Sequence, residues 1–257
     1  MGEPVLLAFD TATEYCSVAL AYKAQVYCRT EKLGNSHSEC LLPWIDELIK
    51  NAGISLKDLN GILFSSGPGS FTGLRIACGV AQGLGYGLDK KLLPTSTLTA
   101  LGYHYRDRGK RIAVLNDARM NECYAAIYEN SDGCFKVLQS ERLVKPEEVQ
   151  RWLEQNEVTF VVGTAIGVYD MNLKVEHLYA HPDASYMIEW FNGCRDTADQ
   201  RWVDPDKAAP MYIRDHVALI FFDNAFFLAF ADHVEDFFFG DGFIKRFGVV
   251  AQKTHET

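Results

Sequence analysis

One seventeen-residue pattern occurs twice in the chain, and it limits the fold more than any other feature. LLAFDTATEYCSVALAY (6–22) is an apolar run, an aspartate, a short polar turn and a second apolar run. IAVLNDARMNECYAAIY (112–128) repeats that order. Asp10 and Asp117 each close a first run, 107 residues apart, and Cys16 and Cys123 each lie six residues further on. β-Branched and aromatic residues bounded by turn formers predict a β-hairpin in each place.

The segments after the hairpins also correspond. The first hairpin is followed by a strand over QVYCRTE and a helix over about 36–51. Ser36 and Glu39 have capping-box spacing, Leu41, Leu42, Ile45, Leu48 and Ile49 form the apolar stripe, Pro43 predicts a kink and Gly53 a stop. Then come the strand GILFSS, a glycine loop, a helix over 74–88, a strand KLLP and a helix begun by Thr95 or Ser96. After the second hairpin, CFKVLQS, VTFVVG and KVEHLYA read as strands, KPEEVQRWLEQ and DASYMIEWF as helices. Two copies of a mixed sheet with flanking helices predict an α/β protein of two related lobes.

Composition narrows the function. A formal charge of −9 makes the chain a poor stand-alone binder of nucleic acid, which depends on basic side chains. No apolar run approaches the ~20 residues of a membrane helix, and MGEPVLLAFD lacks the basic flank of a signal peptide. The seven cysteines follow no metal or disulfide spacing, which suits buried thiols in a reducing compartment. His177 and His181 have H-x-x-x-H spacing, but KVEHLYAHP reads as extended. Residues four apart on a strand are ~13 Å from each other, too far to share an ion.

SSGPGSFTGLR (65–75) has the glycines and hydroxyls of a phosphate loop, without the Gly-Lys-Ser/Thr ending that puts a lysine on the phosphates. The helix after it carries Gly79, Gly83 and Gly87, with Ala77, Ala81 and Gly85 nearby. Each glycine costs ~1 kcal/mol relative to alanine in a helix, so a close neighbour is expected, either inside the lobe or across an interface.

DTAT (10–13), HSECLLPWI (37–45), SGPGSFTGLRIACGVAQGL (66–84), NDARMNECYAAIY (116–128) and PMYIRDHVA (210–218) together resemble the TsaB family of tRNA threonylcarbamoyladenosine-biosynthesis proteins. The resemblance implies a duplicated actin-like (ASKHA, ribonuclease-H-like) fold with lobes over 1–108 and 109–218. It also implies a non-catalytic role beside a TsaD-like catalytic protein and a TsaE-like ATPase, with a homodimer when alone, tRNA reached only through the complex, and a cytoplasmic location. Docking would use the first-lobe helices, through His37, Leu41, Trp44 and Ile45 on one and Leu74, Cys78, Gly79, Gln82 and Gly83 on the other. Thr97 and Leu101 stand where TsaD relatives carry a metal-binding histidine pair, so no metal is expected. Asp10, Thr11, Gly67, Gly69, Ser70, Thr72 and Asp117 read as a vestigial phosphate site. The second turn, NDARMN, lacks glycine. No cofactor is expected beyond weak ATP and magnesium at a subunit junction.

Two competing readings are an actin-like ATP hydrolase or kinase using Asp10 and Asp117, and a peptidase, for which no nucleophile or metal set is found. Residues 219–257 lie outside the family pattern and hold ten of the sixteen phenylalanines. Docking on the second lobe, docking on a partner, and a tail not shaped for this fold all stay open.

Overall fold

The computed structural model describes residues 3–131, 134–194 and 202–214. The expectations for the phenylalanine-rich tail lie outside the described residues.

The first sheet takes β1 (Leu6–Asp10), β2 (Tyr15–Tyr22), β3 (Gln25–Lys32), β4 (Gly61–Gly67) and β5 (Leu92–Ser96) in the order β3-β2-β1-β4-β5. β1 is central and buried throughout, antiparallel to β2 and parallel to β4. The second sheet takes β6 (Arg111–Asp117), β7 (Cys123–Ser131), β8 (Cys134–Val144), β9 (Phe160–Val162) and β10 (Glu176–Leu178) in the order β8-β7-β6-β9-β10. Numbered within its own lobe, each sheet has the same strand order. This is the duplicated actin-like α/β fold, and the twin hairpins are its two centres. The copies differ by one step of register, since Asp10 pairs with Ser17 but Asp117 with Cys123. Cys16 and Cys123 are both fully buried, and burial pushes both thiols up to about 12, so they act as small apolar fillers.

Helix α1 (His37–Asn51) buries Leu41, Trp44, Ile45 and Leu48 and runs through Pro43 as one element. The capping box is absent, because the Ser36 side chain makes no cap bond. Helix α2 (Phe71–Leu88) starts three residues earlier than its apolar pattern suggests, because Ser70 accepts a hydrogen bond from the Gly73 N–H at 3.4 Å. Helix α3 (Thr97–His104) is capped by Ser96, and α5 (Ala184–Gly193) by Asp183. Helix α4 (Pro146–Gln155) turns Val149, Trp152 and Leu153 onto the second sheet. A 3-10 turn at Thr164–Gly167 joins β9 toward β10, so the second lobe has no counterpart of α2.

Two helices exchange lobes. Leu98 and Leu101 of α3 pack with Ile112, Val114, Tyr128 and Phe160 of the second sheet. Met187, Ile188 and Phe191 of α5 pack with Leu6, Ala8, Leu63 and Leu93 of the first. Where the exchanged helices touch, His104 meets Glu189 at 2.7 Å, Arg106 meets Glu189 at 2.6 Å, and the His104 ring stacks on Tyr186 at 3.8 Å.

Candidate functional site

The glycine loop folds onto the chain's own first hairpin turn. The Ser70 N–H donates to the Ala12 carbonyl at 2.7 Å, and the Thr11 hydroxyl donates to the Gly73 carbonyl at 2.7 Å. A Cβ at Gly69 would lie 2.4 Å from the Ala12 oxygen, and one at Gly73 would lie 1.9 Å from the Thr11 oxygen. These glycines are therefore explained by protein backbone at van der Waals range, which is the space a phosphate cradle would leave to its ligand. Gly67 meets the Met211 carbonyl in the same way, while Thr72 stays exposed.

Asp10 ends β1 inside this closed turn and is 2% exposed. Its Oδ1 accepts from the Ala12 N–H at 2.7 Å, and its Oδ2 has no hydrogen-bond partner. Burial, opposed by the Ala12 N–H and reinforced by the nearby Asp183 carboxylate, pushes its carboxyl up to about 7.

The second turn closes on itself, the Ala118 N–H donating to the Glu122 carbonyl at 2.9 Å, and side chains cover it. Asp117 accepts from the Arg119 N–H at 2.8 Å and the Tyr169 hydroxyl at 2.7 Å, and pairs with the Arg119 guanidinium at 3.3 Å. The Thr164 hydroxyl accepts from the Asp117 N–H at 2.9 Å. Arg119, Met120 and Asn121 take left-handed φ values of 60°, 54° and 58° without a glycine among them. Met120 points to solvent, 80% exposed.

A strap formed by residues 202–214 links these features. Val203 exchanges two backbone hydrogen bonds with Leu92 at the edge of the first sheet, and Asp204 pairs with Lys91 at 2.7 Å. The Ala208 carbonyl accepts from Gln82 at 3.0 Å and from the Cys78 thiol at 3.5 Å. The Met211 N–H donates to Ser66 at 2.6 Å. Arg214 then reaches the second turn, bonding the Ala118 carbonyl at 3.4 Å and the Glu122 carboxylate. Family resemblance marked PMYIRDHVA in the sequence, but no periodicity predicted its course along α2.

The docking residues expected from the sequence divide into two groups. Leu41 and Ile45 are 0% exposed and Leu74 1%, all turned into the first lobe. Trp44 is 5% exposed beneath the Arg29 guanidinium, 4.4 Å from its ring. His37 is also buried, its Nε2 3.2 Å from the Tyr15 carbonyl. Cys78 and Gln82 are taken by the strap. Only Gly79, Gln82 and Gly83 keep part of their surface. His177 lies in β10 and His181 on the loop after it, with Nδ1 directed to the Val175 and Pro182 carbonyls respectively. The His181 ring stacks on Tyr15 at 3.9 Å. No metal-ligand cluster occurs among the described residues.

Comparison with known proteins bears on this site. Residues 31–184 match a family described as TsaD, tRNA N6-adenosine threonylcarbamoyltransferase. The tRNA threonylcarbamoyladenosine biosynthesis protein TsaB of Haemophilus influenzae is 34% identical over 231 residues, covering 84% of this chain and 96% of that protein. TsaB of Escherichia coli K12 is 34% identical over 223 residues, covering 83% and 96%. The solved structure of YeaZ from Pseudomonas aeruginosa is 33% identical with a TM-score of 0.71, covering 82% of this chain and all of that one.

Proposed function

The chain belongs to the TsaB family, and from that premise we propose that it is a non-catalytic docking subunit in tRNA threonylcarbamoyladenosine biosynthesis. Its first lobe holds a TsaD-like transferase and aligns it with a TsaE-like ATPase in the cytoplasm. tRNA is met only through that complex, and a homodimer forms when the chain is alone. No helix among the described residues is long and apolar enough to cross a membrane.

The observation that carries this reading is the closed glycine loop. The actin-like fold is kept, yet the backbone that would face a nucleotide is occupied by Ala12 and Thr11. The second turn presents Arg119 and Met120 where a glycine turn would be needed. What the first lobe has and the second lacks is α2, whose Gly79 and Gly83 leave a shallow, partly open flank suited to a close helix neighbour.

The test is direct association of the full chain with the cognate TsaD-like protein, followed by calorimetry. A complex at low micromolar concentration is expected. Gly83→Leu should weaken it at least ~10-fold while the melting temperature stays within a few degrees. Titration with ATP and magnesium separates the competing enzyme reading: turnover by the isolated chain that Asp10→Ala abolishes would replace the docking role with an actin-like ATPase.

A further inference from the structure

Four arginines lie over aromatic rings, and three of them also hold a carboxylate. Arg29 lies over Trp44 and pairs with Glu31 and Glu47; Arg106 lies over Tyr103 and pairs with Glu189; Arg108 lies over Phe160 and pairs with Glu176. The fourth, Arg75, lies 3.6 Å from the Phe71 ring centroid, the closest of the four. Its Nε donates to the Tyr212 hydroxyl at 3.2 Å, and the Phe71 and Tyr212 rings are 5.3 Å apart. No carboxylate of the described chain pairs with it. A guanidinium fixed by a ring on one side and a hydroxyl on its Nε has lost its rotamer freedom and still presents its two terminal nitrogens.

The surroundings are those of a contact surface. Phe71 and Arg75 are half-buried, Thr72 is exposed and Tyr212 is 43% exposed. The platform draws on two separate stretches of sequence, the first turn of α2 and the strap, and the Met211 bond to Ser66 fixes the strap beside it. The chain carries a formal charge of −9, so a polyanion is repelled overall while a single acidic side chain can still be met locally. A planar fork fits one carboxylate in bidentate fashion.

We propose that Arg75, held by Phe71 and Tyr212, is the chain's receptor for an Asp or Glu side chain on the protein partner that docks at α2. This rests on the docking role proposed above and names the chemistry the partner must bring to it.

The experiment measures the dissociation constant of the TsaD-like partner for wild type, Arg75→Ala, Arg75→Lys, Tyr212→Phe and Gly83→Leu, at low and high salt. Arg75→Ala is expected to weaken binding ~10-fold or more with an unchanged melting temperature, and to flatten the salt dependence. Arg75→Lys should recover only part of the loss, and Tyr212→Phe should weaken binding a few-fold. Wild-type affinity in Arg75→Ala beside a loss in Gly83→Leu would overturn the carboxylate contact and leave the docking role standing. Failure of the wild type to bind would overturn both. An Arg75→Ala variant that keeps its partner but loses tRNA binding would assign the guanidinium to phosphate and overturn the proposal.

Discussion

The two hairpin turns sit at equivalent places in twin sheets and share one bond, the aspartate Oδ1 accepting the N–H two residues on, but they are covered differently. The Asp10 turn is covered by backbone, with the glycine loop pressed onto Ala12 and Thr11, the Thr11 hydroxyl bonded to Gly73, and one oxygen of its aspartate without a partner. The Asp117 turn closes on itself through the Ala118 and Glu122 backbone and is covered by side chains, those of Tyr169, Thr164, Arg119 and Arg214. A turn closed by backbone contact has no room for a Cβ. A turn closed by side chains accepts almost any residue that reaches its partner. The duplicated unit therefore keeps its aspartate turn in both copies and covers it differently in each.

Glycine substitution should separate the two turns most sharply. Gly73→Ala puts a Cβ 1.9 Å from the Thr11 oxygen. A loss of about 3 kcal/mol or more is expected in denaturant unfolding. Met120→Gly in the other turn should change stability by no more than about 1 kcal/mol, since relief of a left-handed methionine is offset by unfolded-state entropy. Equal effects would break the comparison.

The next largest effect lies in pH dependence. The carboxyl of Asp10 rises from 3.8 to about 7 on folding. Within that window the folded chain keeps a proton that the unfolded chain releases, so its contribution falls as pH rises. Asp10→Asn removes the titration. The stability gap in favour of Asn should widen by about 2–3 kcal/mol from pH 5 to pH 8. A constant gap would mean that Asp10 is charged and paired.

Smaller losses should mark the second turn. Arg214→Ala removes the bonds to Ala118 and Glu122 and should cost about 1–2 kcal/mol, with faster amide exchange confined to residues 118–122. Tyr169→Phe removes one hydroxyl from Asp117 and should cost about 0.5–1.5 kcal/mol. A silent Tyr169→Phe would shift the hold on Asp117 to Arg119.

Much of the frame was legible. The repeated hairpin located both central strands, because alternating apolar runs around an aspartate turn have few other solutions. The helices α4 and α5 were legible from proline, aspartate and apolar spacing. The site was less so. Glycine spacing in SSGPGSFTGLR shows that something comes close but not what, and the close neighbour proved to be Ala12, more than fifty residues earlier in the chain. Ser36 and Glu39 have capping-box spacing, yet that box does not form, and the ring of His37 between them turns inward to Tyr15. The strap carries no periodic signal, so the joining of Tyr212 to Arg75 could be found only in three dimensions. The one-residue register difference between the hairpins was likewise hidden, since the spacing from aspartate to cysteine is identical in both.

The exchange of α3 and α5 has a consequence for synthesis on the ribosome. When residue 110 has emerged, the first sheet is complete, but α5 lies about eighty residues away, and α3 rests on that sheet through Ala100 while Leu98 and Leu101 still lack the second sheet they pack on. The nascent half must wait with apolar faces uncovered until Phe191 leaves the exit tunnel. A duplication wired in this way is committed to staying one chain, for neither copy can be released as a finished module.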